Sequence, residues 1–148
     1  MTKKNIFISG ASRGIGQSMA IHFAKNNFNV VGTSRNNFNF DYESENLFPI
    51  KLDVTSRDDV KKCFEELKSK NLLPNILINN AGITADQLFL RMTDDDWDKV
   101  INTNLNGTFN LTKVFLKNMI KNRFGRIINI SSISGLMGNP GQVNYTSS

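Results

Sequence analysis

Short apolar runs and helical apolar periodicities alternate along this chain. Residues 5–9 form an apolar run ending at Gly10, which predicts a buried strand. From Gly14 to about Asn26, apolar residues at 15, 19, 20, 23 and 24 share one helical face. Residues 29–34 and 48–52 predict the second and third strands. Ser56 followed by Asp58 and Asp59 is a helix N-cap with acids in the first turn. The helix it opens keeps Val60, Phe64 and Leu67 on one face, and Pro74 is expected to end it. Residues 75–79 are the fourth strand. Thr93 then caps one long helix through Asp94, Asp95 and Asp96, with Trp97, Val100, Ile101, Leu105, Phe109, Thr112, Phe115, Leu116 and Met119 inward and Gly125 at its end. Residues 126–130 are the fifth strand, a Ser- and Gly-rich loop follows, and the last residues begin another helix. The segment 35–46 is polar with three aromatics, Phe38, Phe40 and Tyr42, and predicts a loop in place of a helix.

Strand–helix alternation implies a parallel sheet with helices on both faces, the doubly wound α/β architecture of Rossmann type. No internal repeat or linker interrupts it, so residues 1–148 read as one domain. Composition agrees: 39% hydrophobic and 21% charged residues suit a globular chain with one core. No apolar stretch approaches the roughly 20 residues of a membrane helix. The apolar run at residues 6–8 is too short for a signal-peptide core, so the expected compartment is the cytoplasm. One cysteine, Cys63, and one histidine, His22, leave no material for a disulfide or a zinc site. Cys63 is expected as a small apolar helix residue and His22 as a surface or packing residue. The three carboxylates at 94–96 read as a helix N-terminus, not a metal site.

Charge changes the picture. The net charge is +5, and all of the excess precedes Asp41, the first acid: Lys3, Lys4, Arg13, Lys25 and Arg35. That is either a solvated surface or a pocket for an anionic ligand. A nucleic-acid partner is disfavoured, because no basic stripe has interleaved aromatics.

The anion has a candidate seat. Residues 9–16 read Ser-Gly-Ala-Ser-Arg-Gly-Ile-Gly, following a strand and opening a helix. Gly10 permits a tight turn, Gly14 lets the backbone approach a pyrophosphate, and Gly16 lets the helix lie close to the strand. Ser12, Arg13 and Ile15 lie between them, and the helix N-terminus presents free N–H groups. Sites for NAD usually place an acid at the end of the second strand. Here Ser34 and Arg35 stand there, and no acid occurs nearby. Arg35 and Arg13 suit a 2′-phosphate, which predicts NADP(H).

Further motifs follow: Asp53-Val54, Asn79-Asn80-Ala81-Gly82, Asn104, and Ser132 with Tyr145 thirteen residues on. With the glycine loop, they make the whole chain resemble the short-chain dehydrogenase/reductase family. Stretches 79–92 (NNAGITADQLFLRM) and 135–145 (GLMGNPGQVNY) are most similar to members that reduce 3-oxoacyl groups on acyl carrier protein in fatty-acid synthesis.

The resemblance implies roles. Asp53 and Val54 would flank the adenine, and Asn80, Ala81 and Gly82 would line the nucleotide half and steady the sheet. Ser132 would hydrogen-bond the substrate carbonyl, Tyr145 would protonate its oxygen, and Asn104 would hold the long helix and a water in a proton relay. The substrate would be a 3-oxoacyl thioester on acyl carrier protein or CoA. Arg123 and Arg126, in a basic cluster with Lys117 and Lys121, would dock the acidic carrier, although charge at a helix end suits the dipole without a partner. The full-length protein would be a homo-oligomer, as a tetramer, paired through the helix spanning 93–122, with Leu111, Val114 and Phe115 among its apolar positions. An acetoacetyl-CoA reductase or another short-chain alcohol dehydrogenase fits the same motifs.

The family places a lysine four positions after the tyrosine, and here Ser148 is the last residue. A sixth strand of the order 3-2-1-4-5-6 is likewise not among the five predicted. The sequence therefore predicts an incomplete five-strand sheet with the fifth strand as an open edge, and a 148-residue chain inactive by itself. The alternative outside enzymology is a non-catalytic remnant.

Overall fold

In the computed structural model, which describes residues 3–148, five parallel strands stand in the order β3-β2-β1-β4-β5. They are β1 (Asn5–Ile8), β2 (Asn29–Ser34), β3 (Leu47–Lys51), β4 (Ile76–Asn79) and β5 (Arg126–Asn129). The predicted doubly wound sheet is therefore present. Its central strands are apolar on both faces, as burial between helix layers requires. On one face Phe7, Val31 and Leu77 pack against α2 (Arg57–Ser69) and α4 (Gly107–Lys121), with Phe115 and Leu67 buried between. On the other, Ile6, Ile8, Val30 and Ile78 pack against α1 (Gly14–Lys25) through Ala20 and Ala24. Among the described residues, no helix is long and apolar enough to cross a membrane.

Local sequence explains most boundaries. Ser56 Oγ accepts the Asp59 amide at 3.2 Å, the predicted cap of α2. That helix stops at Ser69, before Pro74, because Lys70 caps it and Asn71 turns into the left-handed region with φ 56°. The segment 35–46 is a loop, as predicted. Phe38 and Phe40 meet edge-to-face at 5.1 Å and pack on the α1 side of the sheet, the place a crossover helix would take. Cys63 is buried on α2, and His22 is exposed on α1, edge-on to the Phe23 ring.

The predicted single long helix is broken. Thr93 caps α3 (Asp94–Ile101), accepting the Asp96 amide at 3.1 Å and donating to the Asp96 carboxylate at 2.8 Å. A π-helical segment, Asn102–Asn106, then intervenes before α4. A π turn holds one residue more than an α turn and re-phases the faces. Leu105, Phe109 and Leu116, expected inward, are consequently exposed, while Thr103, Asn110 and Leu111 are buried; Trp97, ahead of the π segment and also expected inward, is exposed as well. Val100, Phe115 and Met119 are inward as expected. Ile15, expected on the inner face of α1, is also exposed. Beyond β5, which forms an exposed edge, come a short helix α5 (Ser134–Met137) and the final turn α6 (Val143–Thr146).

Candidate functional site

A cleft of about 630 Å³ opens at the C-terminal ends of β1, β2 and β4, the position where doubly wound sheets bind ligands. The glycine loop, Arg35, Val54 and the segment 80–83 all line it. Gly10 has φ 68°, and a Cβ there would stand 2.8 Å from Ala81 Cα, so the turn and the close approach both require glycine. At Gly16 a Cβ would fall 2.2 Å from Gly10 O and 2.6 Å from Asn80 Nδ2. Gly16 thus admits the loop's own carbonyl and Asn80, a tighter constraint than the helix–strand contact expected. Gly14 has φ 56° with open space around it, leaving the helix start approachable from the cleft.

The loop is locked to the segment after β4 by a residue the motif reading passed over. Ser9 Oγ accepts the amides of Asn80 and Ala81, both at 3.0 Å. Asn80 Nδ2 in return donates to the carbonyls of Ser9 and Gly10, each at 3.0 Å. Asn79 Nδ2 donates to Asn129 Oδ1 at 2.8 Å and ties β4 to β5. Ser9 sat within the quoted glycine motif, but no spacing rule marks a serine at a strand end as a bridge.

The cleft fits a dinucleotide. The amides of Gly14, Ile15 and Gly16 have no protein acceptor among the described residues, and no acid lies in the first turn of α1. Thr33 Oγ1 is buried beside the cleft without a hydrogen-bond partner, an atom that a ligand or its water would satisfy. No acidic residue lines the cleft, and Arg13 and Arg35 stand exposed at it with no ion pair among the described residues. Phe38 adds an aromatic wall there. Asp53 faces a neighbouring cavity of about 460 Å³ that Arg35 also lines, and its Oδ1 accepts both the amide and the hydroxyl of Thr55, at 2.9 and 2.7 Å. Val54 is buried on the cleft side.

None of the candidate catalytic residues, Asn104, Ser132 and Tyr145, lines the cleft itself. Asn104 sits in the π segment, its side chain paired with the backbone of Ile83, and its Nδ2 also donates to Ser148 Oγ at 2.9 Å. Ser132 is half-buried, and its Oγ accepts the Ser134 amide at 3.2 Å. Tyr145 is half-buried on α6, and no hydrogen bond joins its phenol to Ser132. The adjacent Asn144, which the sequence reading did not single out, is fully buried. Arg123 and Arg126 are exposed at the N-terminal start of β5, the opposite end of the sheet from Ser132. Phe124 between them lies under Lys4 and Arg126, 4.6 and 5.1 Å from its ring centre.

A family model described as short chain dehydrogenase matches residues 4–148. Among curated proteins, the 3-oxoacyl-[acyl-carrier-protein] reductase FabG of Thermotoga maritima is 43% identical over 152 residues, covering 98% of this chain and 62% of that protein. Its Pseudomonas aeruginosa counterpart is 42% identical over 149 residues, covering 96% and 60%. The chain thus spans some three-fifths of the length of these relatives. Among solved structures, ElxO with NADP bound superposes with a TM-score of 0.91 at 38% identity, over 99% of this chain and 62% of that one. The 4-hydroxyisoleucine dehydrogenase complexed with NADH gives 0.88 at 34%, over 98% and 63%.

Proposed function

The chain belongs to the short-chain dehydrogenase family, and from that premise we propose that the protein containing it reduces a 3-oxoacyl thioester to the 3-hydroxyacyl form with NADPH. The substrate is carried by acyl carrier protein, as the names of the relatives suggest, and on this proposal the reaction serves fatty-acid synthesis. Residues 1–148 are then the nucleotide-binding part of a single Rossmann-type domain.

The observation that carries the reading is the joint between cleft and candidate acid. Asn104 bonds Ile83 of the cleft wall and also Ser148, three residues past Tyr145, so the turn bearing the phenol is fastened to the nucleotide site. Bound NADPH supplies a hydride to the carbonyl carbon. Tyr145 donates the proton to the oxygen on which negative charge develops, and Ser132 hydrogen-bonds that same oxygen. Ser132 Oγ, now an acceptor for the Ser134 amide, keeps its own proton free to donate. The α1 amides take the pyrophosphate, and Arg13 and Arg35 take the 2′-phosphate. The acid-free lining supports NADPH over NADH, whose 2′-hydroxyl would call for a carboxylate.

On this reading the acidic carrier protein docks at Arg123 and Arg126. Leu111 and Phe115, named for pairing by the sequence, are buried in this chain's own core with Val114 packed against it, so a second copy covers instead the exposed apolar side of α4 at Phe109 and Leu116, making the full-length protein a homo-oligomer.

The test is NADPH oxidation by acetoacetyl-CoA, using the protein at the length of its relatives. Turnover that Tyr145→Phe abolishes supports the proposal. Full activity of Tyr145→Phe would remove the assigned acid, and NADPH binding without turnover on any 3-oxoacyl thioester would leave only a nucleotide-binding protein.

A further inference from the structure

Tyr145 lies in the first turn of α6, whose N-cap, Gln142, makes no side-chain capping bond. Contacts from outside that turn take the place of a cap.

Three connections reach it from the loop after β4. The Gln87 amide donates to Gly141 O at 2.8 Å, and Gln142 Nε2 donates to Asp86 Oδ2 at 3.0 Å, but Gln87 and Asp86 are exposed, where water competes for both bonds. The third is Asn144. It has 0% exposure, and its Nδ2 donates to Ala85 O at 3.1 Å and Asp96 O at 3.2 Å. Its Oδ1 accepts the amide of Tyr145 itself at 2.8 Å. One buried amide thus joins the loop after β4, the first turn of α3 and the residue bearing the phenol. The Tyr145 amide has no backbone acceptor, since the first intrahelical bond of α6 runs from Thr146 to Gln142 O.

We infer that Asn144 is a positioning residue of the active site, fixing the Tyr145 backbone against the loop after β4 and α3, beside the Asn104–Ser148 bond, so that the phenol is aimed at the substrate carbonyl. The inference rests on the reading of Tyr145 as proton donor. An apolar side chain at 144 would leave the Ala85 carbonyl and the Tyr145 amide without the partner they have here. A carboxylate there would keep the acceptor and lose both donors.

The test compares variants in the protein at the length of its relatives, with acetoacetyl-CoA and NADPH. Asn144→Ala should lower kcat about a hundredfold, the cost of a misplacement near 1 Å, while the KM for NADPH holds. Asn144→Asp should fail to restore kcat, because the two donors are what anchor the turn. Asn144→Ala should cost little further in a Tyr145→Phe background. As a control, Asn5→Ala removes side-chain bonds to Asn71 O and Leu73 O far from the site, and should lower stability without lowering kcat. Unchanged kcat in Asn144→Ala, or an equal loss in Asn5→Ala at matched stability, overturns the inference and leaves the role of Tyr145 intact. Full activity of Tyr145→Phe sinks the underlying reading instead. Should Asn144→Ala fail to fold, hydrogen exchange of the unmodified protein decides: a protected Tyr145 amide supports the inference, and exchange at the rate of an exposed amide overturns it.

Discussion

Asn104 grips Ile83 in both directions: its Oδ1 accepts the Ile83 amide at 2.9 Å and its Nδ2 donates to the Ile83 carbonyl at 3.1 Å. The pairing mimics a strand partner for a residue that has left the sheet. Asn104→Ala should therefore cost about 1–3 kcal/mol of stability, two net hydrogen bonds. Urea unfolding measures the loss, and hydrogen exchange should show the Ile83 amide opening first. An unchanged midpoint would mean that the clamp contributes nothing.

Arg35 should set cofactor preference. Removing one charged hydrogen bond to phosphate costs about 1.5–3 kcal/mol. Arg35→Ala should then weaken NADPH by roughly tenfold to a hundredfold or more and leave NADH nearly untouched. Calorimetric titration of both cofactors checks it. Equal weakening of the two would assign Arg35 to general packing of the cleft.

The three glycines of the loop should not respond alike. Gly16→Ala drives a methyl into the Gly10 carbonyl, at 2.2 Å, where backbone must move. Gly14→Ala meets open space and incurs only the left-handed backbone cost, about 1–2 kcal/mol. Thermal unfolding should rank Gly16→Ala well below Gly14→Ala. The reverse order would mean that the clash relaxes freely.

Burial pushes the Cys63 thiol from its ordinary 9.0 up to about 12, with Glu66 adding to the rise and Lys70 opposing it. The folded state thus holds a proton that the unfolded state releases. The stability this provides is complete below pH 9 and is lost as pH climbs toward 12, at up to roughly 1.4 kcal/mol per unit. Cys63→Ala should flatten that part of the stability–pH curve relative to the parent, and a thiol reagent at neutral pH should label Cys63 only after unfolding. Rapid labelling of the native protein would contradict the burial.

The sheet was readable from the sequence because apolar runs bounded by Gly, Asn and Pro leave few other arrangements, and strand boundaries were met within a residue. The glycine loop was readable because Gly10 and Gly16 are required by contacts that tolerate no Cβ. The long helix was misread for a physical reason. The π segment holds Asn104, whose side chain reaches back to Ile83, a tertiary bond invisible to periodicity, and Leu105, Phe109 and Leu116 in and after it turn outward. Ser9 and Asn144 escaped for the same reason. Their roles lie in partners 71 and 59 positions away, Asn80 and Ala85, and not in spacing along the chain.

The Ser9 hydroxyl, buried between two loops, has a consequence for the speed and heat of binding. Because the phosphate turn and the segment at 80–81 are already joined, neither must be ordered when a nucleotide arrives. The entropy loss of fixing those loops is incurred in folding, and association proceeds as a docking onto a rigid surface. Ser9→Ala would leave the amides of Asn80 and Ala81 without their acceptor, and the cleft would then have to close around its guest. Association should slow, and the binding enthalpy should grow more favourable against a larger entropy penalty.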